Sequence, residues 1–370
     1  MSLTPRPAAP AMLRLTTTLP RAERRRLRHP AEIPWLVAAV IITVLVAAAV
    51  ISLLFSDVEL PPDVQQIAVL IIGAPVLFLL VRGYLYAQQR ASGVRLSPTQ
   101  FPDAYRMLVE AAADAGMRRV PDAYVVSGSG VINAFAAGHG HRRFVVINSD
   151  MFEVGGHLRS PDALRFVIAH EVGHLAAGHA AYWRIVGTFI FRNIPVLGAA
   201  LSRAQEYTAD NYGYAHAPQG APAAIATLAA GKYLNAEVLP DEYTDRAVVD
   251  RSLFIVAVNL VASHPILTWR SHALRHRDHP GAMFVRPAFG VLAAPSLPPA
   301  ASRTSRWADP AAALAFLDAH PQPGRDEFGG VQVRHRAQAA RPTPVLDGSS
   351  RDALGAGRSD GSAGEAVSRP

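Results

Sequence analysis

Two histidines and a glutamate within five residues are the part of this sequence best suited to chemistry. His170, Glu171 and His174 lie in an apolar stretch that predicts a helix, and side chains four residues apart project from one face of a helix. Two imidazoles so placed can bind one zinc ion. The carboxylate of Glu171 would lie beside the metal, where it can take a proton from an attacking water. The spacing therefore predicts a metal site that activates water.

A zinc site that performs catalysis usually has three protein ligands and one open position. Glu206 is the predicted third ligand, in the segment Ser-Arg-Ala-Gln-Glu-Tyr-Thr-Ala-Asp at 202–210. Asp210 follows one helical turn later and faces the same way. A histidine that binds the metal through one ring nitrogen keeps its second ring nitrogen free. The carboxylate of Asp210 can accept a hydrogen bond from that second nitrogen. Spacing alone leaves open the alternative that both acids are solvated on an exposed helix.

Four short motifs occur in one order and carry a family resemblance. They are Asn-Ala-Phe-Ala at 133–136, His-Glu-x-x-His at 170–174, Glu-x-x-x-Asp at 206–210 and His-Pro-x-x-x-x-Arg at 264–270. Over residues 98–274 the chain resembles the HtpX-type proteases and CaaX prenyl endopeptidases, a family of membrane-associated zinc metalloproteases. The resemblance implies a zinc metalloendopeptidase of the gluzincin type, with one zinc ion per chain. The implied ligands are His170, His174 and Glu206, and the implied base is Glu171.

The same resemblance assigns roles to residues around the metal. Asp210 would orient a ligating histidine, while His264 and Arg270 would lie near the metal and stabilise the oxyanion of peptide hydrolysis. For these last two, a His-Pro helix start and a surface arginine are the open alternative. A strand with Asn133 nearby would form the edge of the cleft and pair with an extended peptide. The residues of that strand are Phe144, Val145, Val146, Ile147 and Asn148.

Two apolar segments near the start of the chain, at about 33–55 and 64–86, predict a transmembrane hairpin. The first has no charge and reaches the length of about 20 residues that crosses a bilayer as a helix. It is too long for a signal peptide, and no small-residue cleavage site follows it. For the second, a buried helix of a soluble domain is the alternative. Arginines flank the hairpin and its loop is acidic, so the positive-inside rule places both ends in the cytoplasm.

The stretch at 180–201, between the zinc helix and Glu206, is apolar, and HtpX-type members often have further membrane helices there. Here Arg184 and Arg192 interrupt it and Pro195 breaks it. Both flanking metal ligands must reach one ion, so the intervening chain crosses the membrane an even number of times. Roughly 22 residues cannot make two crossings of about 20 residues each. The segment is therefore predicted to be core, cleft wall or an interfacial patch.

The rest of the pattern predicts an α+β fold that is mostly helical and has a small β-sheet. Ser160 and Pro161 are typical of a helix start. Predicted helices lie at 98–115, 198–213, 222–234, 250–261 and 310–319, and predicted strands at 120–127 and 144–148. Four regions follow: a basic N-terminus (1–32), the transmembrane hairpin (33–88), the zinc metalloprotease domain (89–288) and a largely disordered tail rich in Pro, Ala and Arg (289–370).

Composition limits the partners of this chain of 370 residues. Cysteine is absent, which excludes disulfides and thiolate metal ligands and fits a reducing compartment. The net charge of +7 comes almost wholly from arginine, but the arginines flank apolar segments and fill the tail. They form no motif with interleaved aromatics, so nucleic acid is not expected. The predicted partners are protein or peptide substrates and the lipid bilayer, and a bacterial cell membrane is the predicted location.

Two other functions remain as alternatives. An intramembrane protease would need the zinc helix itself to span the bilayer, and the charged and histidine residues within 163–181 argue against that. A membrane scaffold with a structural zinc ion would need a closed site, which normally has four protein ligands. A fourth ligand near the metal would favour the scaffold, whereas the intact Glu171 favours the enzyme.

Overall fold

The computed structural model describes residues 19–128, 133–139, 142–152, 160–292 and 309–319. The chain divides into two compact units, Met1–Ala294 and Pro295–Pro370. In the second unit the described element is a helix at Pro310–Ala319, which confirms the short helix predicted there. The rest of the predicted disordered tail lies outside the described residues. All further elements belong to the first unit.

Two long apolar helices, α2 (Glu32–Leu54) and α3 (Pro62–Ser92), follow a short helix α1 (Arg21–Arg26) and pack against each other as a hairpin. Both are long and apolar enough to cross a membrane, and most of their side chains are not buried by the protein. Apolar side chains exposed over such a length are unfavourable in water. The hairpin therefore suggests membrane association, and it follows the predicted segments at 33–55 and 64–86 closely.

A four-stranded mixed sheet lies next to the hairpin, with strands β1 (Val94–Arg95), β2 (Asp122–Val126), β3 (Ala134–His139) and β4 (Arg142–Asn148) in the order β1-β2-β4-β3. Strands β2 and β4 are parallel, and the two outer pairs are antiparallel. Strand β3 was not predicted, because its alanines and Gly138 have low strand propensity.

The position of β4 corrects one prediction. Its residues Phe144, Val145, Val146, Ile147 and Asn148 were expected to form the edge that pairs with a peptide. Instead β4 lies between β2 and β3, and both of its backbone edges are occupied by strands. The four apolar side chains are buried. A β4 paired on both sides cannot add a peptide strand, and β3 is the edge strand on that side of the sheet.

The helices complete an α+β fold that is mostly helical, as predicted. They are α4 (Pro102–Asp114), α5 (Pro161–Ala176), α6 (Tyr182–Gly187), α7 (Phe189–Arg192), α8 (Leu197–His216), α9 (Gly220–Leu234), α10 (Pro240–Val249), α11 (Leu253–Val261) and α12 (Leu267–Arg275). Helix α5 is central: it packs against α4, α8, α9, β3 and β4. Its side chains Leu164, Ile168 and Val172 are fully buried in the main core. Helix α5, which carries the His-Glu-x-x-His motif, is therefore a core helix of the domain.

The segment at 180–201 lies along the hairpin. The hydroxyl of Tyr182 donates to the carbonyl of Pro75, the rings of Phe78 and Phe189 are 4.9 Å apart, and the amide of Phe191 lies near Thr43. Helices α6 and α7 have six and four residues, so neither can cross a bilayer. Instead they pack against the hairpin helices α2 and α3.

The basic N-terminal flank is joined to the domain rather than set apart from it. Arg24 donates to the carbonyl of Ala115, and the amide of His29 donates to the hydroxyl of Thr208. The side chain of Trp35, just inside α2, packs against the cluster around Tyr207. These contacts fix the start of the hairpin on the domain.

Candidate metal centre

The start of α5 is fixed by its first residues. The hydroxyl of Ser160 accepts a hydrogen bond from the amide of Ala163 at 3.4 Å, and Pro161 occupies the first turn. Proline is suited to that place because its missing N–H would have no helical partner. The following apolar residues bury one side of the helix in the core. The other side presents His170, Glu171 and His174 to a cleft.

A glycine inside the His-Glu-x-x-His motif lets α8 come close to α5. A Cβ atom on Gly173 would lie 2.6 Å from the Cβ of Tyr212, which is closer than real side chains come. On α8, a Cβ atom on Gly213 would lie 3.0 Å from the ring of Phe166, which is also a close approach. These approaches bring Glu206 on α8 within reach of the histidines on α5. The glycine is therefore part of the geometry of the site.

The three expected ligands converge. The Nε2 atoms of His170 and His174 are 3.2 Å apart, and each lies 3.4–3.5 Å from an oxygen of Glu206. A tetrahedral zinc ion with bonds of about 2.0–2.1 Å separates its ligand atoms by about 3.3–3.5 Å. The donor set, two imidazoles and one carboxylate, is also one that zinc prefers. The residues present therefore fit a zinc ion.

Asp210 lies behind the first histidine, where it was expected. Its Oδ1 atom is 2.9 Å from Nδ1 of His170, the ring nitrogen that faces away from the other ligands. A carboxylate in that place favours a proton on Nδ1 and leaves Nε2 free for a metal. Arg270 on α12 donates two hydrogen bonds to the same carboxylate, at 2.9 Å and 2.6 Å.

The second histidine has a different partner. Nδ1 of His174 lies 2.8 Å from Nδ1 of His179, and Nε2 of His179 lies 3.2 Å from Oε1 of Glu32. Glu32 is the first residue of α2 and is fully buried. Its carboxylate also accepts hydrogen bonds from Arg28, Arg184 and the hydroxyl of Thr208. The site thus reaches into the base of the hairpin.

The carboxylates make the site favourable for a cation. Burial alone would lower the pKa of His170, but Asp210 and Glu206 outweigh that effect and raise it to about 10. Burial alone would raise the pKa of Glu206, yet the facing His174 and His170 hold it well below its usual range. Positive charge is therefore stabilised between these groups. A divalent ion supplies that charge in place of a proton.

The cleft in front of the ligands has a volume of about 500 Å³. Its walls come from β3, from α3 and from the segment after α5, and the buried Glu171 lies on its floor beside the ligands. The lining residues outside the ligands include Arg82, Ala136, Ala180, Ile185, Arg192 and His264. The cleft is thus open to a substrate on the side where a metal would have its remaining position.

His264 and Arg270 take different places. His264 lines the cleft, is 64% exposed, and has its Nε2 atom 3.4 Å from Oε1 of Glu206. Arg270 is buried behind Glu206 and Asp210 and does not line the cleft. Its guanidinium is bound to Asp210, which favours a place behind the ligands. The predicted oxyanion role stays a prediction for both residues.

The number of ligands bears on whether the site is open or closed. Among the described parts of the chain, the cluster that could hold a metal consists of His170, His174 and Glu206. His264 approaches one oxygen of Glu206, but it is not a member of that cluster. Three donors leave a zinc ion one open position, which is the arrangement that catalysis needs.

Three buried residues of this centre had no predicted role: His179, Glu32 and Arg184. His179 is five positions after His174 and could have been noticed from that spacing. Glu32 is an acid at the border of an apolar span, and Arg184 is a charge inside an apolar stretch. Such charges are unfavourable unless they are paired, which was a signal that they have partners.

Comparisons with known proteins agree with this geometry. Residues 98–194 and 185–278 match the model of peptidase family M48. The matched region contains α5, α8 and α12 and therefore every predicted ligand. This match supports a metallopeptidase. Over residues 98–278 the chain is similar to peptidase family M48, the family of the HtpX-type and CaaX prenyl proteases that its motifs resemble. No curated protein and no solved structure matches the chain.

Proposed function

We propose that this chain is a membrane-anchored zinc endopeptidase that hydrolyses peptide bonds in membrane-associated or unfolded proteins at the cytoplasmic face. The observation that carries this proposal is the convergence of His170, His174 and Glu206 beside the buried Glu171 at an open cleft. The gluzincin type follows from the third ligand, a glutamate on a second helix. Zinc is the metal because two imidazoles and one carboxylate at these separations suit it.

Each residue has a defined task in the proposed reaction. His170, His174 and Glu206 would hold a zinc ion, which would supply Lewis acidity to polarise the peptide carbonyl and acidify water. The carboxylate of Glu171 accepts a proton from the attacking water and delivers it to the nitrogen of the leaving amine. The imidazole of His264, on the cleft wall, donates a hydrogen bond to the oxyanion.

The free edge of β3 is the proposed binding place for the substrate backbone. The amide of Asn148 donates to the carbonyl of Asn133, in register with the β3–β4 ladder. Residues of an antiparallel ladder bond alternately inward and outward. Ala134 and Ala136 therefore direct their N–H and C=O groups away from β4, and both line the cleft. An extended peptide can add to this edge as a further strand.

The location of the cleft supports a substrate close to the membrane. Arg82 ends the apolar part of α3, donates to the carbonyl of Ala180 and lines the cleft. Helices α6 and α7 lie along the hairpin beside the same cleft. Basic residues flank the hairpin and its loop is acidic, so the positive-inside rule favours a cytoplasmic domain. A polypeptide leaving the bilayer on that side would meet the cleft first.

A non-catalytic scaffold with a structural zinc ion is the second candidate. It would need a closed ligand set, and the described cluster of His170, His174 and Glu206 has three members. It also would not need a buried carboxylate such as Glu171 beside the metal. Both observations favour the enzyme.

Metal removal tests the proposed function. The full chain in detergent should cleave an unfolded protein such as casein, lose this activity on treatment with a chelator, and regain it with one equivalent of zinc. Cleavage that persists in the metal-free chain would exclude the proposed mechanism. Zinc binding without cleavage of unfolded or membrane-associated polypeptides would favour the scaffold.

A further inference from the structure

We infer that His179 and Glu32 are positioning residues for the metal ligand His174. They determine which of its ring nitrogens carries the proton and hold the other nitrogen toward the metal. The inference rests on the proposed zinc site. It adds to that site a second connection, from the metal to the first residue of the apolar hairpin.

The contacts form one chain from the ligand to a buried carboxylate. Nδ1 of His174 is 2.8 Å from Nδ1 of His179, whose Nε2 atom is 3.2 Å from Oε1 of Glu32. His179 and Glu32 are both buried. The remaining ring nitrogen of His174, Nε2, faces His170 and Glu206. This series of hydrogen bonds therefore reaches the ring of His174, whose Nε2 atom would bind the metal.

The chemistry of these groups allows one assignment of protons. A carboxylate accepts hydrogen bonds, so the Nε2 atom of His179 must carry a hydrogen to donate to Glu32. The two Nδ1 atoms are 2.8 Å apart, so one of them donates and the other accepts. A neutral His179 ring with its hydrogen on Nε2 has Nδ1 as the acceptor. Nδ1 of His174 must then donate, which leaves a lone pair on Nε2 of His174. That is the form in which a histidine binds zinc through Nε2.

Glu32 is held in place by several groups besides His179. Arg184 donates to its Oε1 atom at 2.8 Å, the hydroxyl of Thr208 donates to Oε2 at 2.7 Å, and Arg28 forms an ion pair with it. The two arginines also donate to the carbonyl of Ala177, directly after α5. The carboxylate is thus ionised, fixed in orientation and tied to the end of the zinc helix.

The two ligating histidines are therefore supported separately. His170 uses Asp210 and Arg270 from α8 and α12, whereas His174 uses His179 and Glu32 from the loop after α5 and from α2. Partners of this kind typically change metal affinity about 10- to 100-fold when they are removed. Since Glu32 begins α2, the orientation of a metal ligand depends on how the hairpin is seated against the domain.

The test uses the full chain in detergent and three variants. His179→Leu removes both hydrogen bonds, and His179→Gln retains an amide that can accept from His174 and donate to Glu32. His216→Leu is the matched control, because His216 is also a histidine with a largely covered side chain that is bound to a carboxylate, Asp114 at 2.6 Å. The measurements are zinc affinity by chelator competition, the visible absorption of the cobalt-substituted protein, and thermal unfolding of the metal-free chain.

The expected result separates positioning from folding. His179→Leu should lower zinc affinity about 10- to 100-fold and alter the cobalt spectrum, and His179→Gln should recover part of both. His216→Leu should lower the melting temperature and leave zinc affinity unchanged. Unchanged zinc affinity and spectrum in a folded His179→Leu variant would overturn the inference.

Two further outcomes are also decisive. If His179→Leu does not fold, Glu32→Gln takes its place, because it keeps the shape of the side chain and removes the charge. A several-fold loss of zinc affinity in Glu32→Gln supports the inference, and wild-type affinity overturns it. A wild-type chain that binds no zinc overturns the proposed function itself. A failure of the positioning role alone leaves wild-type zinc binding and cleavage intact.

Discussion

The ion pair between Asp210 and Arg270 favours a place for both residues behind the metal ligands. Both are buried, and each neutralises the charge of the other. Arginine holds the pKa of Asp210 at about 2 although burial alone would raise it. The carboxylate therefore stays ionised and oriented toward His170. Loss of one partner of a buried pair typically costs about 3–5 kcal/mol, because the other charge is left uncompensated.

Asp210→Asn is predicted to weaken zinc binding and folding together. The amide lacks the charge that Arg270 and the His170 ring require, so zinc affinity should fall about 10- to 100-fold. The melting temperature of the metal-free chain should also fall. Chelator competition and thermal unfolding measure the two effects. The control is Asp114→Asn, which affects a half-exposed pair with His216. Equal zinc affinity in Asp210→Asn and wild type would contradict the assigned role.

For single residues, the sequence predicted side chains that share one helix and missed contacts between residues far apart in the sequence. His170 and His174 were predicted from helical spacing, and Glu206 and Asp210 from spacing together with the family resemblance. His179 and Glu32 are 147 positions apart, and no local pattern relates them. Arg270 was placed near the metal correctly, but its role depends on the direction of its guanidinium, which only packing determines.

Among the elements, β3 has the clearest consequence for substrates. Its outward N–H groups are proposed to bind the peptide backbone. Ala136→Pro removes one of them without removing a bond to β4, since proline is tolerated at a free edge. We expect kcat/KM for casein to fall severalfold at unchanged zinc content. Ala136→Val is the control because it keeps the N–H and adds bulk. If the proline variant cleaved as well as the valine variant, substrate pairing with β3 would be wrong.

The elements predicted well are those with long uniform patterns: the hairpin helices, α5 and α8. The helix start at Ser160 and Pro161 was also correct. Strand β3 was missed because its alanines and glycine have low strand propensity, and pairing with β4 overrides that preference. Helix α10 was not predicted, and α12 was considered only as the open alternative of a helix start at His264 and Pro265, because both helices are short. The edge role given to β4 failed because strand order is a tertiary property that residue pattern does not determine.

For the molecule as a whole, the hairpin and the domain are one structure. Glu32, Trp35 and Thr43 of α2 all have partners in the domain. The division into an N-terminal flank, a hairpin and a protease domain remains a prediction. It describes regions of the sequence and not units that fold independently. The sequence predicted the hairpin itself because hydropathy is a local property. The contacts of the hairpin with α6, α7 and α8 join distant parts of the sequence, and no local property predicts them.

The orientation in the membrane can be tested because the chain has no cysteine. Ser56→Cys lies in the hairpin loop and Ser92→Cys at the end of α3, and both side chains are exposed. In intact cells an impermeant maleimide should modify Ser56→Cys and reach Ser92→Cys only after lysis. The reverse pattern would place the domain outside the cytoplasm. Modification of both positions in intact cells would contradict a hairpin that spans the membrane.

Acid sensitivity is predicted for the fold of the metal-free chain. His29 donates to the carbonyl of Gly281 and His272 to that of Phe289, and burial lowers the pKa of both rings. The folded state therefore favours the neutral rings, while the unfolded chain takes up protons near the usual pKa of about 6.5. This contribution to stability is present above about pH 6.5 and is lost as the pH falls through the lowered values.

The measurement is the melting temperature with chelator present between pH 8 and pH 5.5, for wild type and His272→Gln. The stability of wild type relative to the variant should fall as the pH falls, because the amide of the variant can donate to Phe289 without titrating. Parallel curves for the two proteins would show that His272 does not contribute.

The central claim is that Glu171 acts as the base at a zinc site formed by the protein. The most direct measurement compares purified wild type with Glu171→Gln in detergent, scoring zinc content and cleavage of casein. We expect about one zinc ion per chain in both proteins, because both keep the three ligands and the open position, and cleavage by wild type alone. Equal cleavage by the two proteins would contradict the role of Glu171, and wild type that binds no zinc would contradict the site itself.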